Sequence, residues 1–393
     1  MKQQNSKEKL NIFAIGMAMF SMFFGSGNII FPVLIGQATK NQANFAIGGL
    51  LLTAVLVPFV GLISLSLFDG KYLTFFSRLG RIPGWAIVIA VMGLIGPFAV
   101  IPRCIVISHG SLQGVFPSLG LPIFSAISCG IIFLCTFKKN NILDILGLAL
   151  TPILLVSLLT IIIKGLFTGG NLEPSPFNNI EAFFYGLSEG YNTMDLFASF
   201  MFSSVVLEGI KKSDPNIVNK PKKLMHVYLK SSILGMGILA FIYIGMCKIA
   251  ASHGSALQGI STDKLLGALT TSVLGNYGGY IVSIAVSLAC LTTAISLSLV
   301  FAEFVCQDLS KNKIKYHTSL VATLIVSFVV STLEFNGIQA LLVPILKVSL
   351  PALMVLTVLN LAYKFRDFKP VKGIVFLTFA LTLLYYIGLI PKF

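Results

Sequence analysis

Charge is scarce in this sequence. Of 393 residues, Asp, Glu, Lys and Arg together make up only 11%, less than half of the ~25% usual in soluble domains. Four stretches, 10–39, 41–68, 104–137 and 265–302, hold no charged residue at all. Hydrophobic residues reach 56% and the mean hydropathy is +0.91. No water-soluble fold can bury that much apolar surface, which excludes a string of soluble domains. Histidine is rare too: His109, His226, His253 and His317 are scattered and form no HExxH motif. The six cysteines (Cys104, Cys129, Cys135, Cys247, Cys290 and Cys306) lie in or beside apolar segments without metal-ligand spacing, so they read as small packing residues. Acidic residues are outnumbered two to one, 14 against 28, for a net charge of +14. No basic face with interleaved aromatics accompanies that excess, so nucleic acid is not an expected partner.

What is present is a succession of apolar runs, and a spanning helix needs roughly 20 such residues. Eleven spans are predicted, at 10–37, 44–67, 84–108, 118–137, 142–164, 180–210, 224–248, 270–305, 316–334, 338–363 and 372–390. The first follows Lys2, Lys7 and Lys9 as a signal peptide would, but it is too long for an h-region and has no small-x-small cleavage site. It is kept as a helix. With the N-terminus in the cytoplasm, 20 of the 28 basic residues fall in cytoplasmic segments, and only Lys40, Lys164, Lys248, Lys264 and Lys392 face the other side. That asymmetry obeys the positive-inside rule and explains the basic balance, since these residues meet anionic membrane lipid.

Spans one and six are longer than a membrane requires, and both are interrupted. Span one contains Phe24-Gly25-Ser26-Gly27-Asn28 followed by Pro32; span six contains Gly186-Leu187-Ser188-Glu189-Gly190-Tyr191-Asn192. Two glycines within three residues weaken a helix by roughly 1 kcal/mol each relative to alanine. The interruptions lie five spans apart, an odd number, so the two spans enter the membrane from opposite sides. Two five-helix units would then be inverted copies, and interrupted helices at matching positions point to a transporter's central site. The competing reading is that the glycines merely let helices pack closely. A half-helix beginning near Gly27-Asn28 offers free N–H groups and a positive dipole end to a carboxylate. Carbonyls freed on the other halves suit an ammonium group or a sodium ion, and one amino-acid zwitterion satisfies both kinds of end. Candidate substrate-binding residues are therefore Gly25, Ser26, Gly27 and Asn28 with Glu189, Gly190, Tyr191, Asn192 and Asp195. Glu189 and Asp195 flank the second interruption; the alternative is a structural pair with Arg103. Lys347 is read as snorkelling or pairing across helices.

At these residues the chain resembles the bacterial branched-chain amino acid:cation symporter family. The resemblance rests on Phe23-Phe24-Gly25-Ser26-Gly27-Asn28-Ile29-Ile30-Phe31-Pro32, Gly96-Pro97-Phe98-Ala99-Val100-Ile101-Pro102-Arg103 and Glu189-Gly190-Tyr191-Asn192-Thr193-Met194-Asp195, joined by Cys290-Leu291-Thr292-Thr293-Ala294 and Pro344-Ile345-Leu346-Lys347-Val348-Ser349-Leu350-Pro351. It implies an all-α fold of the leucine-transporter type: a single transmembrane domain over 1–393, with inverted repeats at 10–164 and 180–363 and an extra helix at 372–390. The family usually has twelve spans, against eleven here. It further implies uptake of leucine, isoleucine and valine across a bacterial cytoplasmic membrane, driven by a cation gradient.

Thr292, Thr293 and Ser296 stand mid-span eight, where hydroxyls could complete a sodium site; the alternative is that they bond back to their own helix. By the resemblance, carbonyls of Ser21, Phe24 and Ala289 would join Thr292 and Thr293 around the ion. Sodium and proton coupling both remain open, as does a carrier for another small apolar amino acid such as methionine. A channel or an intramembrane enzyme is the reading from another class. Enzyme motifs fail on context, however. Gly186-Leu187-Ser188-Glu189-Gly190 has the nucleophile-elbow pattern without a preceding strand, and Gly235-Met236-Gly237-Ile238-Leu239-Ala240 is a loose dinucleotide fingerprint inside an apolar span. Expected partners are a small amino acid, a monovalent cation and lipid, with no resident cofactor, no metal beyond the coupling ion and no obligate protein partner.

The span count makes a direct prediction. Cysteines introduced at Asn171 and Ser255 are expected to react with impermeant reagent from outside the cell, and cysteines at Asn140 and Asn216 only after permeabilisation. The reverse pattern would overturn the orientation or the count.

Overall fold

A computed structural model describes residues 12–137 and 142–389. The basic residues Lys2, Lys7, Lys9, Lys138, Lys139 and Lys392, and the labelling position Asn140, lie outside the described residues. Within them every regular element is a helix: α1 (Ile12–Phe23), α2 (Ser26–Thr39), α3 (Ala43–Leu51), α4 (Val57–Ser66), α5 (Tyr72–Ser77), α6 (Arg81–Ile95), α7 (Val100–Leu112), α8 (Leu121–Phe137), α9 (Ile142–Thr168), α10 (Asn179–Tyr191), α11 (Asp195–Ser213), α12 (Pro221–Ser252), α13 (Leu265–Phe304), α14 (Tyr316–Ser331), α15 (Glu334–Arg366) and α16 (Lys372–Tyr386). The stretches 81–112, 221–252, 262–309 and 334–366 are each long and apolar enough to cross a membrane. Large apolar side chains such as Leu134 and Phe167 stand 74% and 86% exposed, as lipid-facing residues do.

Local chemistry sets the helix ends. Asn178 caps α10 by accepting from the N–H groups of Ile180 (3.0 Å) and Glu181 (2.9 Å), while the Glu181 carboxylate accepts from the N–H of Asn178 (2.9 Å), a reciprocal capping box. Pro221 opens α12 at a position where its missing N–H costs nothing. A π-turn at Leu52–Leu56 carries α3 into α4, and α5 is a short helix outside the predicted spans. Two features were not predicted. Span three is interrupted between α6 and α7 at Gly96-Pro97-Phe98-Ala99, where Pro97 can neither donate an N–H nor let Gly96 stay helical. Span eight bends at Gly275, which adopts φ +73°, a region glycine enters without steric cost.

The packing reveals the symmetry. Span one lies along α12 over both halves, α1 and α2; span six lies along span two over both halves, α10 on α3 and α11 on α4. Exchanging spans one with six and two with seven converts one pairing into the other. The α7–α13 contact (spans three and eight) and the α8–α14 contact (spans four and nine) map onto themselves under the same exchange. That is the pattern of a 5+5 inverted repeat, and it is the ground on which we propose repeat boundaries near 10–164 and 180–363. Connections that parity puts on one face also touch each other. Tyr72 donates to Asp308 (2.8 Å) and Arg78 to Asn360 (3.2 Å) at one face; Lys40 pairs with Glu173 (2.8 Å) and Gln37 donates to the Leu257 carbonyl (2.6 Å) at the other.

Glycines permit these close pairings. A Cβ on Gly36 would collide with the Cys247 carbonyl of α12, and a Cβ on Gly186 with the Ala46 carbonyl of α3. Gly186 and Gly190 are therefore helical contact residues, and the second interruption falls after them. Because the Ala46 carbonyl belongs to the backbone and cannot turn aside, Gly186→Ala must push α10 off α3. The expected result is a fall in Tm of about 5 °C or more in detergent. Gly237→Ala, where a Cβ meets nothing within 4 Å, is the control and should leave Tm unchanged or slightly raised.

Candidate substrate and ion site

The helix breaks at Phe24-Gly25 and at Asn192-Thr193-Met194, and the second bends span six by 45°. Met194 takes the left-handed conformation, φ +64°. It turns the chain so that α11 starts afresh at Asp195, a position where a carboxylate favours a helix N-terminus. Glu189 sits three residues before the break and accepts from the Asn192 amide Nδ2 (2.9 Å). Glu189 and Asp195 thus flank the break, as predicted from sequence.

Neither carboxylate pairs with Arg103. Asp195, only 2% exposed, accepts from Asn28 Nδ2 at 2.7 and 2.9 Å and from the Tyr243 hydroxyl at 2.8 Å. Asn28 Nδ2 also donates to the Tyr243 hydroxyl. On its other side, Asn28 Oδ1 accepts from the N–H of Gly25 (3.2 Å), one of the donors a helix start leaves without an intrahelical partner. One amide side chain therefore ties the first break to the first turn of α11. Tyr243 had no sequence signal, being one aromatic among many in an apolar helix.

Arg103, 1% exposed, links the breaks a second time. Its Nη1 donates to the Asn192 carbonyl (2.7 Å) and its Nε to Ser26 Oγ (3.3 Å). Its guanidinium carbon stands 5.5 Å from the centre of the Phe31 ring. Gly27 has no side chain where it faces this group: a Cβ there would lie 2.6 Å from Nη2 and 3.1 Å from the Thr193 carbonyl. Ser26, Gly27, Asn28, Asn192 and Asp195 thus converge, whereas Gly190 and Tyr191 lie one turn back. There, with Asp195, Thr53, Leu350 and Met354, they line a small cavity.

The proposed ion ligands lie around the first break. Phe24 is buried and its N–H donates to the Phe20 carbonyl (2.8 Å); Ser21 is one turn earlier in α1. In α13, the Thr293 methyl group lies 3.4 Å from where a Gly25 Cβ would be, so span eight meets the break at this residue. Both threonine hydroxyls are turned onto the Ala289 carbonyl, Thr292 at 2.9 Å and Thr293 at 3.0 Å, and Ser296 bonds back to the Thr292 carbonyl. Pro32, inside α2, has no N–H to give, so the Asn28 carbonyl loses its intrahelical donor. That oxygen was not among the sequence candidates, although the Asn28–Pro32 spacing carries the signal.

Comparison with known proteins identifies a family and a fold. Residues 8–389 match the family described as "Branched-chain amino acid transport protein". The branched-chain amino acid permease BraB of Bacillus subtilis is 30% identical over 368 residues, covering 91% of this chain and 81% of the permease. A putative branched-chain amino acid carrier protein of Staphylococcus epidermidis is 30% identical over 382 residues, 92% of this chain and 84% of the carrier. Among solved structures, the inward-facing conformation of Mhp1 superposes with a TM-score of 0.65 at 17% identity, covering 97% of this chain and 89% of Mhp1. A closed conformation of Mhp1, a nucleobase-cation-symport-1 family transporter with bromovinylhydantoin bound, gives 0.62 at 17% identity, covering 98% and 94%. The structural likeness carries the fold alone.

The Asn28–Asp195 contact yields a test of the charge on Asp195. Asn28→Asp puts a second carboxylate against the first in a dry site and is expected to cost about 2 kcal/mol more than Asn28→Ala. Thermal unfolding in detergent reads the difference. An Asn28→Asp protein as stable as Asn28→Ala would mean that Asp195 is not an anion there.

Proposed function

This chain belongs to the branched-chain amino acid transport protein family, and from that premise we propose that it is a secondary transporter that imports leucine, isoleucine and valine by cation symport across a bacterial cytoplasmic membrane. One observation carries the mechanism. The two interrupted spans meet at their breaks, with the α2 N-terminus, the Asn192 carbonyl and the Asp195 carboxylate converging from inverted halves of the fold. Each half supplies what the other lacks: N–H groups and positive potential from one, carbonyl and carboxylate oxygens from the other. A zwitterion with an apolar side chain is the ligand such a site suits, and alternating access would expose it to each face in turn as one repeat moves against the other.

A route toward the cytoplasm has structural support. A cavity of about 200 Å³ lined by Met92, Ile95, Gly96, Met201, Phe202 and Phe301 lies between α6, α11 and α13. It reaches the Tyr72–Asp308 hydrogen bond. Burial, and then the Asp308 carboxylate that accepts its proton, hold the Tyr72 phenol above its ordinary range. The Tyr72 phenol therefore keeps its proton at physiological pH.

For the coupling ion, the first reading is sodium held at the first break against α13. The proximity of Thr293 to Gly25 and the Asn28 carbonyl freed by Pro32 favour it. The threonine hydroxyls must then rotate off the Ala289 carbonyl to face the ion. A second reading, a proton carried by Asp195, is favoured by a carboxylate buried in the membrane with no cation among the described residues within ion-pair distance. Leucine uptake into proteoliposomes, with sodium and proton gradients imposed separately, separates the two. Under the sodium reading, Thr293→Ala raises the sodium concentration for half-maximal uptake about tenfold, and excess sodium restores transport. Sodium-independent uptake that follows a proton gradient and is lost in Asp195→Asn supports the second reading instead. Failure of any gradient to drive leucine uptake contradicts the symport proposal itself.

A further inference from the structure

Among the described residues Arg103 has no counter-ion: none of their ion pairs involves it, although its guanidinium is 1% exposed and lies in the middle of the protein. The carboxylate whose field reaches it, Asp195, is engaged by Asn28 and Tyr243. Arginine cannot shed its proton to escape the cost of burial, as lysine or histidine can. A guanidinium at membrane depth therefore needs compensation, and such groups mark binding sites and ion pathways.

Two of its nitrogens donate to neutral oxygens, Asn192 O and Ser26 Oγ. Nη2 points at the bare Cα of Gly27, in the first turn of α2. That turn carries its own positive end, of which Asn28 Oδ1 caps only the Gly25 N–H. A buried guanidinium and a helix N-terminus aimed at one spot repel each other, and an anion at that spot converts the repulsion into two attractions.

We propose that Arg103 is the binding partner of the substrate's carboxylate, the group that gives this site its requirement for an amino acid over an amine. This rests on the reading that the chain carries amino acids. The carboxylate accepts from the guanidinium and from the first N–H groups of α2 at Ser26 and Gly27. Gly27 is the position at which a side chain would block the approach. Because Arg103 also holds the Asn192 carbonyl of the second break, engaging the carboxylate alters the tie between the two interrupted helices. Binding is thereby linked to their relative position.

Leucine and leucinamide, the analogue whose carboxylate is replaced by a neutral amide, separate this role from a structural one. The experiment is calorimetric titration of both ligands into purified wild-type, Arg103→Gln and Arg103→Lys proteins in sodium-containing buffer at one pH. Wild-type protein is expected to prefer leucine by about 100-fold. Arg103→Gln should lose leucine affinity by a similar factor while its affinity for leucinamide changes little, collapsing the preference. Arg103→Lys, a point charge without the planar fork, should fall between. A variant that weakens both ligands equally and keeps the preference would show Arg103 to be structural and overturn the proposal. So would a wild-type protein that binds leucinamide as tightly as leucine, a result that needs no folded variant. Wild-type protein that binds neither ligand refutes instead the amino-acid reading on which the proposal rests.

Discussion

Hydrocarbon offers no hydrogen bonds, so a helix interrupted within a membrane must find protein partners for every backbone group it frees. Here side chains at the two interruptions and from a third span take up such groups. Asn28, in the first turn of α2, caps the Gly25 N–H and holds Asp195 in the first turn of α11. Arg103, from a third span, holds Ser26 with one nitrogen and the Asn192 carbonyl with another. These side chains satisfy two broken helices at once, and they do so at the junction of the two inverted halves. The rest of the architecture serves to bring that junction about: close glycine pairings clamp each broken span along an unbroken neighbour from the opposite repeat.

Such a junction is stable yet easily reorganised. Its bonds are polar and few, concentrated at one level of the membrane, and flanked by apolar packing of Phe20, Phe24 and Phe31. A ligand bearing both charges could replace intramolecular bonds one for one, so exchange need not leave a charge unpaired. At the face parity assigns to the cytoplasm, the links are again single interactions. These include the Tyr72–Asp308 bond and the Arg78 guanidinium, which lies 3.7 Å from the centre of the Tyr363 ring and bonds Asn360. Single hydrogen bonds of this kind are worth about 1 kcal/mol each, a scale that suits elements which must part and re-form during a transport cycle.

Much of this was legible in the sequence. Charge-free runs located the spans, and their odd separation foretold inversion, because length and apolarity are written directly into composition. Gly25 and Gly27 marked the first break correctly, since two glycines and Pro32 leave little helical stability there. The second break was displaced. Gly186 and Gly190 resemble helix breakers, but they are helical and serve as flat contact surfaces for Ala46 and Thr53; the chain turns at Met194, a residue with no local preference for φ +64°. The interruption at Gly96-Pro97 was overlooked although its dipeptide was visible, because the charge-free run continues through it. Hydroxyls at Thr292 and Thr293 could be placed at mid-span, but their bonds to Ala289 depend on rotamer and neighbours. The partners of Asp195 were beyond sequence reasoning: Tyr243 lies 48 residues away, and nothing local distinguishes it.

The central claim is that a branched amino acid binds where the two breaks meet. A photoactivatable leucine analogue carrying a diazirine in its side chain, cross-linked to the purified protein and mapped by peptide mass spectrometry, tests it most directly. Adducts are expected in the peptides spanning 20–31 and 187–197, with excess leucine abolishing them. Leucine-protected adducts confined to the apolar groove of Val57, Val60, Met354 and Val358 between α4 and α15, with both junction peptides unlabelled, would contradict it.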